Sequence, residues 1–168
     1  MPALKRNPGG RPRSPAALSP AERMRRYRAR LRARGLRLAT VRRRDPLAAQ
    51  VRFGRGSLLT PGEQDVLRHF CAGFRRLPAM PLRAAVFGSR ARGTSGARSD
   101  LDVAVFFDSG PGAEIDAGLA AIAFAAQAPY REAGFGIFLK PVAIHRAERG
   151  TFLQRIRRDL EVIWTRPD

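Results

Sequence analysis

Gly88-Ser89 and the pair Asp100 and Asp102 are the residues of this chain whose types and spacing could do chemistry. A glycine beside a serine at the end of an apolar run lets the backbone approach a ligand closely, while the hydroxyl bonds a phosphate. Ten residues separate Ser89 from Asp100, and Leu101 alone separates Asp100 from Asp102. On a strand, a period of two puts both carboxylates on one face. Like charges so close repel unless a cation neutralises them, and oxygen-only donors favour Mg²⁺. Such a pair can hold metal ions that bridge nucleotide phosphates and activate an attacking hydroxyl. Arg90, Arg92 and Arg98 lie in the intervening loop and bring charge toward those phosphates. Gly88, Ser89, Arg90, Arg92 and Ser99 are therefore the candidate nucleotide contacts, and Asp100 and Asp102 the candidate catalytic and metal-holding residues. A solvated loop with Ser99 and Asp100 as turn formers explains any one of these residues, but not the ordered set.

The other reactive types carry less. A single cysteine and two histidines exclude a disulfide framework, a Cys-rich zinc site and a His-based metal cage. Cys71 falls on an apolar stripe and reads as a small buried hydrophobe, whereas His69 falls off that stripe and reads as exposed. His145 follows a strand residue, Ile144, and reads as a strand-end histidine rather than a base.

The elements that must position these residues follow from periodicity. Thr60-Pro-Gly-Glu63 is a capping box, and Val66, Leu67, Phe70, Cys71, Phe74 and Leu77 follow at helical spacing until Pro78 and Pro81. Leu82–Phe87 reads as a strand running into Gly88-Ser89, and Leu101–Phe107 as a second. In that second strand Leu101, Val103 and Val105 point to one face and Asp102, Ala104 and Phe106 to the other. An Ala-rich helix is predicted over 113–127, then a third strand from Phe135 through Ile144 interrupted by Pro141. A short amphipathic segment carrying Phe152, Leu153, Ile156 and Leu160 follows, and Val162–Trp164 closes an edge. The expected fold class is α/β (α+β), a small mixed β-sheet with helices packed on it.

The 168 residues suit one domain with an extension. The net charge of +18 is concentrated: residues 1–56 hold 17 Lys and Arg against Glu22 and Asp45, while residues 57–168 are nearly balanced. Residues 1–20, rich in Pro and Gly and poor in large apolar side chains, are expected to be a disordered basic tail. Within them Gly9-Gly10-Arg11-Pro12-Arg13 resembles the core of an AT-hook, though a plain tail explains it more simply. Ser19 as N-cap, Pro20 and Glu22 open a helix that Gly35 closes, with Met24, Tyr27 and Leu31 as a narrow stripe. Its Arg23, Arg25, Arg26, Arg28, Arg30, Arg32 and Arg34 would track phosphates without sequence choice, so nucleic acid is a candidate partner of residues 1–56. Leu38–Val41 could form a short strand and Arg42–Pro46 a turn, and the chain reads as linker to Leu59. The longest apolar run, Leu119–Ala126, falls far short of the ~20 residues of a membrane span. No signal-peptide core follows Met1, and the Pro and Gly content argues against a transit peptide. A cytoplasmic protein without membrane contact is the expectation.

Two resemblances add to this reading. Residues 19–37, with Ser19-Pro-Ala-Glu-Arg23, Arg25-Arg-Tyr-Arg28, Arg30-Leu-Arg-Ala33 and Gly35-Leu-Arg37, resemble the N-terminal stretch of some small bacterial antitoxin-like regulators. The order Gly88-Ser89, ten residues, Asp100-x-Asp102 resembles the motif of the polymerase-β-type nucleotidyltransferases, specifically the small bacterial minimal nucleotidyltransferases, over about residues 64–164. That resemblance implies a palm-like mixed sheet over 60–168, preceded by the tail of 1–20 and a basic helix and linker over 21–59. It also implies Mg²⁺, two ions in all, and transfer of a nucleoside monophosphate from ATP or another nucleoside triphosphate to a macromolecular acceptor. Several members are antitoxins that adenylylate a small helical ribonuclease toxin, so a toxin protein is an implied acceptor.

One departure from the family pattern stands out. Active members place a third carboxylate on a later strand, completing the metal site and acting as base. Here Phe138-Leu-Lys-Pro-Val-Ala-Ile-His145 carries no acid, Lys140 stands roughly where the acid is sought, and Glu148 falls past the strand end. A subset of the family has this pattern, with a Pro-Val strand followed by Phe-Leu-x-x-Ile, as in Pro141-Val142 and Phe152-Leu-Gln-Arg-Ile156. Without a base, transfer loses roughly two to four orders of magnitude. The alternative is a regulator that binds nucleotide or nucleic acid and keeps the fold without turnover. A carboxylate on the 135–148 strand or its neighbours within metal-bridging reach of Asp100 and Asp102 would favour catalysis, and Lys140 in that place would favour binding.

Overall fold

The computed structural model describes residues 45–167 apart from 97, 98, 109, 111, 133–135 and 149, together with Arg25, Arg26 and Ala29. The expected tail, the AT-hook-like segment, the strand at Leu38–Val41 and most of the arginine helix lie outside these residues. Arg25, Arg26 and Ala29, within that helix, are helical and exposed.

The chain expected as turn and linker forms the first packed element. Asp45 caps a five-residue helix, α1 (Pro46–Gln50), its carboxylate accepting from the amides of Leu47 and Ala48 at 3.0 and 3.2 Å. Pro46 suits this start because its missing N–H has no partner in a first turn. Ala48, Val51 and Leu59 are buried, so residues 45–59 belong to the same packed body as the rest. Too few apolar residues, spread over too short a window, leave no period from which to read this helix.

The predicted capping box is present at α2 (Pro61–Ala72): Thr60 accepts from the Glu63 amide, and Glu63 accepts from the Thr60 amide at 2.6 Å. Its apolar stripe, Val66, Leu67, Phe70 and Cys71, is fully buried, and a 3₁₀ turn (Gly73–Arg76) adds Phe74. Then come β1 (Arg83–Phe87), the one-turn helix α3 (Gly88–Ala91) and β2 (Leu101–Phe107). Helix α4 (Ala113–Glu132) runs longer than predicted, carrying Pro129 within its last turns. The chain closes with β3 (Leu139–His145), α5 (Thr151–Ile156), a second 3₁₀ turn (Arg157–Asp159) and β4 (Glu161–Thr165).

The four strands form one mixed sheet in the order β3-β2-β1-β4. β1 runs antiparallel to both β2 and β4, and α4 carries the chain across so that β3 lies parallel to β2. The period of two separates two cores. Ala84, Val86, Leu101, Val103, Val105 and Phe107 face α2 and α4. Ala85, Phe87, Ala104, Phe106 and Ile144 face the opposite side, covered by Leu153 and Ile156 of α5. This is the mixed-sheet α/β class expected from the sequence.

Pro141 does not interrupt β3. The Phe138 carbonyl accepts from the Leu101 amide at 2.7 Å and the Arg146 amide donates to the Phe107 carbonyl at 2.8 Å. In that register the even-numbered residues supply the bonds to β2, and the nitrogen of Pro141 faces the open edge, where no donor is required. The strand start is fixed from below: the buried Gln127 side chain accepts from the Leu139 amide at 2.9 Å. β3 therefore begins at Leu139, later than Phe135, with its register to β2 set.

Candidate active site

The carboxylate pair sits where β1 and β2 open onto the loop between them. Asp102 has the parity of Ala104 and Phe106, so it lies on the α5 side of the sheet, partly exposed. Asp100 precedes the strand by one residue with the same parity, and its side chain is 45% exposed. Burial raises the pKa of Asp102 above the usual carboxylate range and the Asp100 charge raises it further, while Lys140, Arg90 and Arg92 oppose the shift. A carboxylate held above its usual range beside a second acid gains from a cation.

Across the ladder, Asp102 pairs with Lys140 of β3 in the parallel register. The Lys140 ammonium lies 3.7 Å from Oδ2 of Asp100 and is 64% exposed. The position at which a third acid was sought is thus held by a lysine. Glu148 lies beyond the end of β3, and among the described residues no group of three or more His, Cys, Asp or Glu could hold a metal.

Gly88 packs directly against Asp102. Its φ is +77°, which side-chain-bearing residues rarely adopt, and a Cβ there would stand 2.8 Å from Oδ2 of Asp102. The turn from β1 into α3 therefore cradles the carboxylate against bare backbone. Gly88→Ala is expected to cost about 1–2 kcal/mol from the backbone conformation alone. It should also push the Asp102 side chain aside, and chemical denaturation checks the stability loss. Ser89 follows in α3, partly exposed, its carbonyl accepting from the Thr94 amide at 2.9 Å.

Arg90 and Arg92 of the loop each pair with an acid of the chain. Arg90 is turned inward: its guanidinium pairs with the Glu63 carboxylate, and its Nε donates to the carbonyls of Ser99 at 3.0 Å and Asp100 at 3.2 Å. The reason is Glu63, a nearly fully buried acid whose other oxygen already caps α2 and which needs a cationic partner. Arg92 pairs with Asp159 of the second 3₁₀ turn. Ser99 Oγ accepts from the Gly96 amide at 2.9 Å, shaping the loop. Arg98 lies outside the described residues.

Cys71 is fully buried, and burial pushes its thiol pKa far up, as the stripe predicted. His69 is half-buried rather than exposed, its Nδ1 donating to the Asp65 carbonyl at 2.9 Å. His145 pairs with Phe107 at the far end of the sheet, about 16 Å along β3 from Lys140, and its Nε2 donates to the Asp108 carbonyl at 2.7 Å. It is a strand-end residue, as expected. A cavity of about 680 Å³, lined by Arg83, Phe106, Arg146, Arg157 and Arg166 among others, also lies toward that far end.

Sequence reasoning missed Glu63 and Gln127 as parts of the site's support. Glu63 was legible as a cap, but its partner 27 residues on in Arg90 was not. No helix in the described residues is long and apolar enough to cross a membrane.

A four-stranded mixed sheet that presents two carboxylates at a strand start, beside a turn at Gly88 with positive φ, defines a protein of the mixed-sheet α/β class. The chain belongs to the nucleotidyltransferase domain family, whose model matches residues 68–160, just over half of its length. The match spans every residue of the pair, the turn and β3. No curated protein matches the sequence.

Proposed function

We propose that this protein transfers a nucleoside monophosphate from a nucleoside triphosphate, ATP among them, to a macromolecular acceptor, with Mg²⁺ held by Asp100 and Asp102. The observation that carries this reading is Asp102, packed against bare backbone at Gly88 with Asp100 beside it and already reluctant to ionise. The donor set is oxygen-only and suits a hard divalent ion. Such an ion, when bound, neutralises phosphate charge and acidifies an acceptor hydroxyl. The residues do the rest: Gly88 lets the chain approach the phosphates, Ser89 offers a hydroxyl, and Arg90 holds the Ser99–Asp100 backbone in place. A toxin protein is the acceptor class that the family resemblance favours. Incubation with radiolabelled ATP, Mg²⁺ and candidate acceptors tests the reading. Label transfer that survives chelation of divalent ions would sink it.

Lys140 favours a second reading, in which the site binds nucleotide without turnover. An ammonium opposite Asp102 leaves the acceptor hydroxyl without a third carboxylate to take its proton. Tight nucleotide binding with no transfer to any acceptor would decide for it.

The basic arm is the proposed contact for nucleic acid, on charge alone. Removing residues 1–56, however, would take α1 and Val51 out of the core. A truncation ending at Arg44 is expected to lose salt-dependent binding to a nucleic-acid duplex and keep its unfolding transition. Unchanged binding with the same salt slope would place the contact in the body.

A further inference from the structure

The charges at the carboxylate pair do not balance as two acids alone. One cation is already part of the chain. Lys140 stands opposite Asp102 in the ladder, on the same side of the sheet as Ile144, and its ammonium is within ion-pair distance of Asp100. β3 cannot easily shift to move it away, because Gln127 fixes the Leu139 amide and the Phe138 carbonyl holds Leu101.

We propose that Lys140 is a built-in cation of this site, its ammonium taking the place of a second divalent ion between Asp100 and Asp102, so that the site takes up one divalent ion per chain. The proposal rests on the metal-binding part of the functional reading above. Its physical basis is competition. An ammonium 3.7 Å from Oδ2 of Asp100 engages the oxygen a metal would use, and its charge repels an incoming second cation. The Lys140 side chain is 64% exposed, so its ammonium can also face a phosphate oxygen of a bound nucleotide while one metal ion faces another. Lys140 thus sets how many ions the site holds and helps position the phosphates.

Mn²⁺ binding to the full chain, counted by electron paramagnetic resonance, tests this without requiring turnover. Wild type is expected to take up one Mn²⁺. Lys140→Gln, which removes the charge, should tighten Mn²⁺ binding roughly tenfold. Lys140→Asp, which adds a third carboxylate, should bring uptake to two ions, and Lys140→Arg should behave as wild type. Lys140 is exposed, so all three variants keep the fold, which circular dichroism verifies. Two ions in wild type, or Gln and Asp variants with unchanged stoichiometry and affinity, would overturn the proposal. Label transfer is read separately: a wild type that transfers nothing, yet gains Mn²⁺ in the Asp variant, upholds Lys140 as the built-in cation and overturns the transferase reading.

Discussion

Arg90→Ala is expected to lower the stability of the folded body by about 3–5 kcal/mol, the cost of stranding a buried carboxylate without its partner. Glu63 is 4% exposed, and the side chains of the pair are 11% and 5% exposed, so solvent cannot replace the lost guanidinium. The same substitution releases the carbonyls of Ser99 and Asp100, which Arg90 ties to the start of α2. Thermal unfolding should register a fall of roughly 10–20 °C. Arg90→Lys keeps the charge but loses the planar fork that reaches Glu63 and two carbonyls at once, so it should recover only part of the loss. A variant as stable as wild type would show that the loop is held by something other than this arginine.

Asp102→Asn is expected to have opposite effects on turnover and on stability. An amide cannot hold a divalent ion as a carboxylate does, and losing several kcal/mol of charge stabilisation amounts to roughly 10³-fold or more in rate. Label transfer from a nucleoside triphosphate measures this. Stability should rise, for a reason of sign. The pKa of Asp102 is raised in the folded state by burial and by Asp100, so its ionised form disfavours folding. That penalty is absent at low pH, where the group is protonated in both states. It grows as pH rises past the unfolded pKa and is complete above the folded one. Asn carries no charge, so the difference in melting temperature between variant and wild type should appear at neutral pH and vanish in acid. A loss of stability in the variant at neutral pH would mean that the carboxylate serves the fold.

Much of this arrangement was legible in the sequence because it depends on local rules. Alternation separated Leu101, Val103 and Val105 from Asp102, Ala104 and Phe106, and the two cores divide along that line. The Thr60–Glu63 box and the stripe after it encode α2 within a few residues. What could not be read depends on partners distant in sequence. The inward turn of Arg90 follows from Glu63, buried on another element. The pairing of Lys140 with Asp102 depends on register, fixed by a glutamine on α4. Residues 45–59 looked like linker because their few apolar side chains find a core only in three dimensions. The departure at Lys140 was visible as the absence of an acid, but its meaning required a distance.

The open side of β3 bears on how this protein behaves among other copies of itself. An exposed strand edge normally offers a row of amides on which a second chain can add a strand, the usual beginning of sheet-mediated aggregation. Here the outward amide of Leu139 is already taken by Gln127, and Pro141 has none to give. An incoming strand would meet at most Ala143 and His145 as donors, with the Lys140 charge beside them. The proline that looked like an interruption thus makes the edge that carries Lys140 a poor template for another chain.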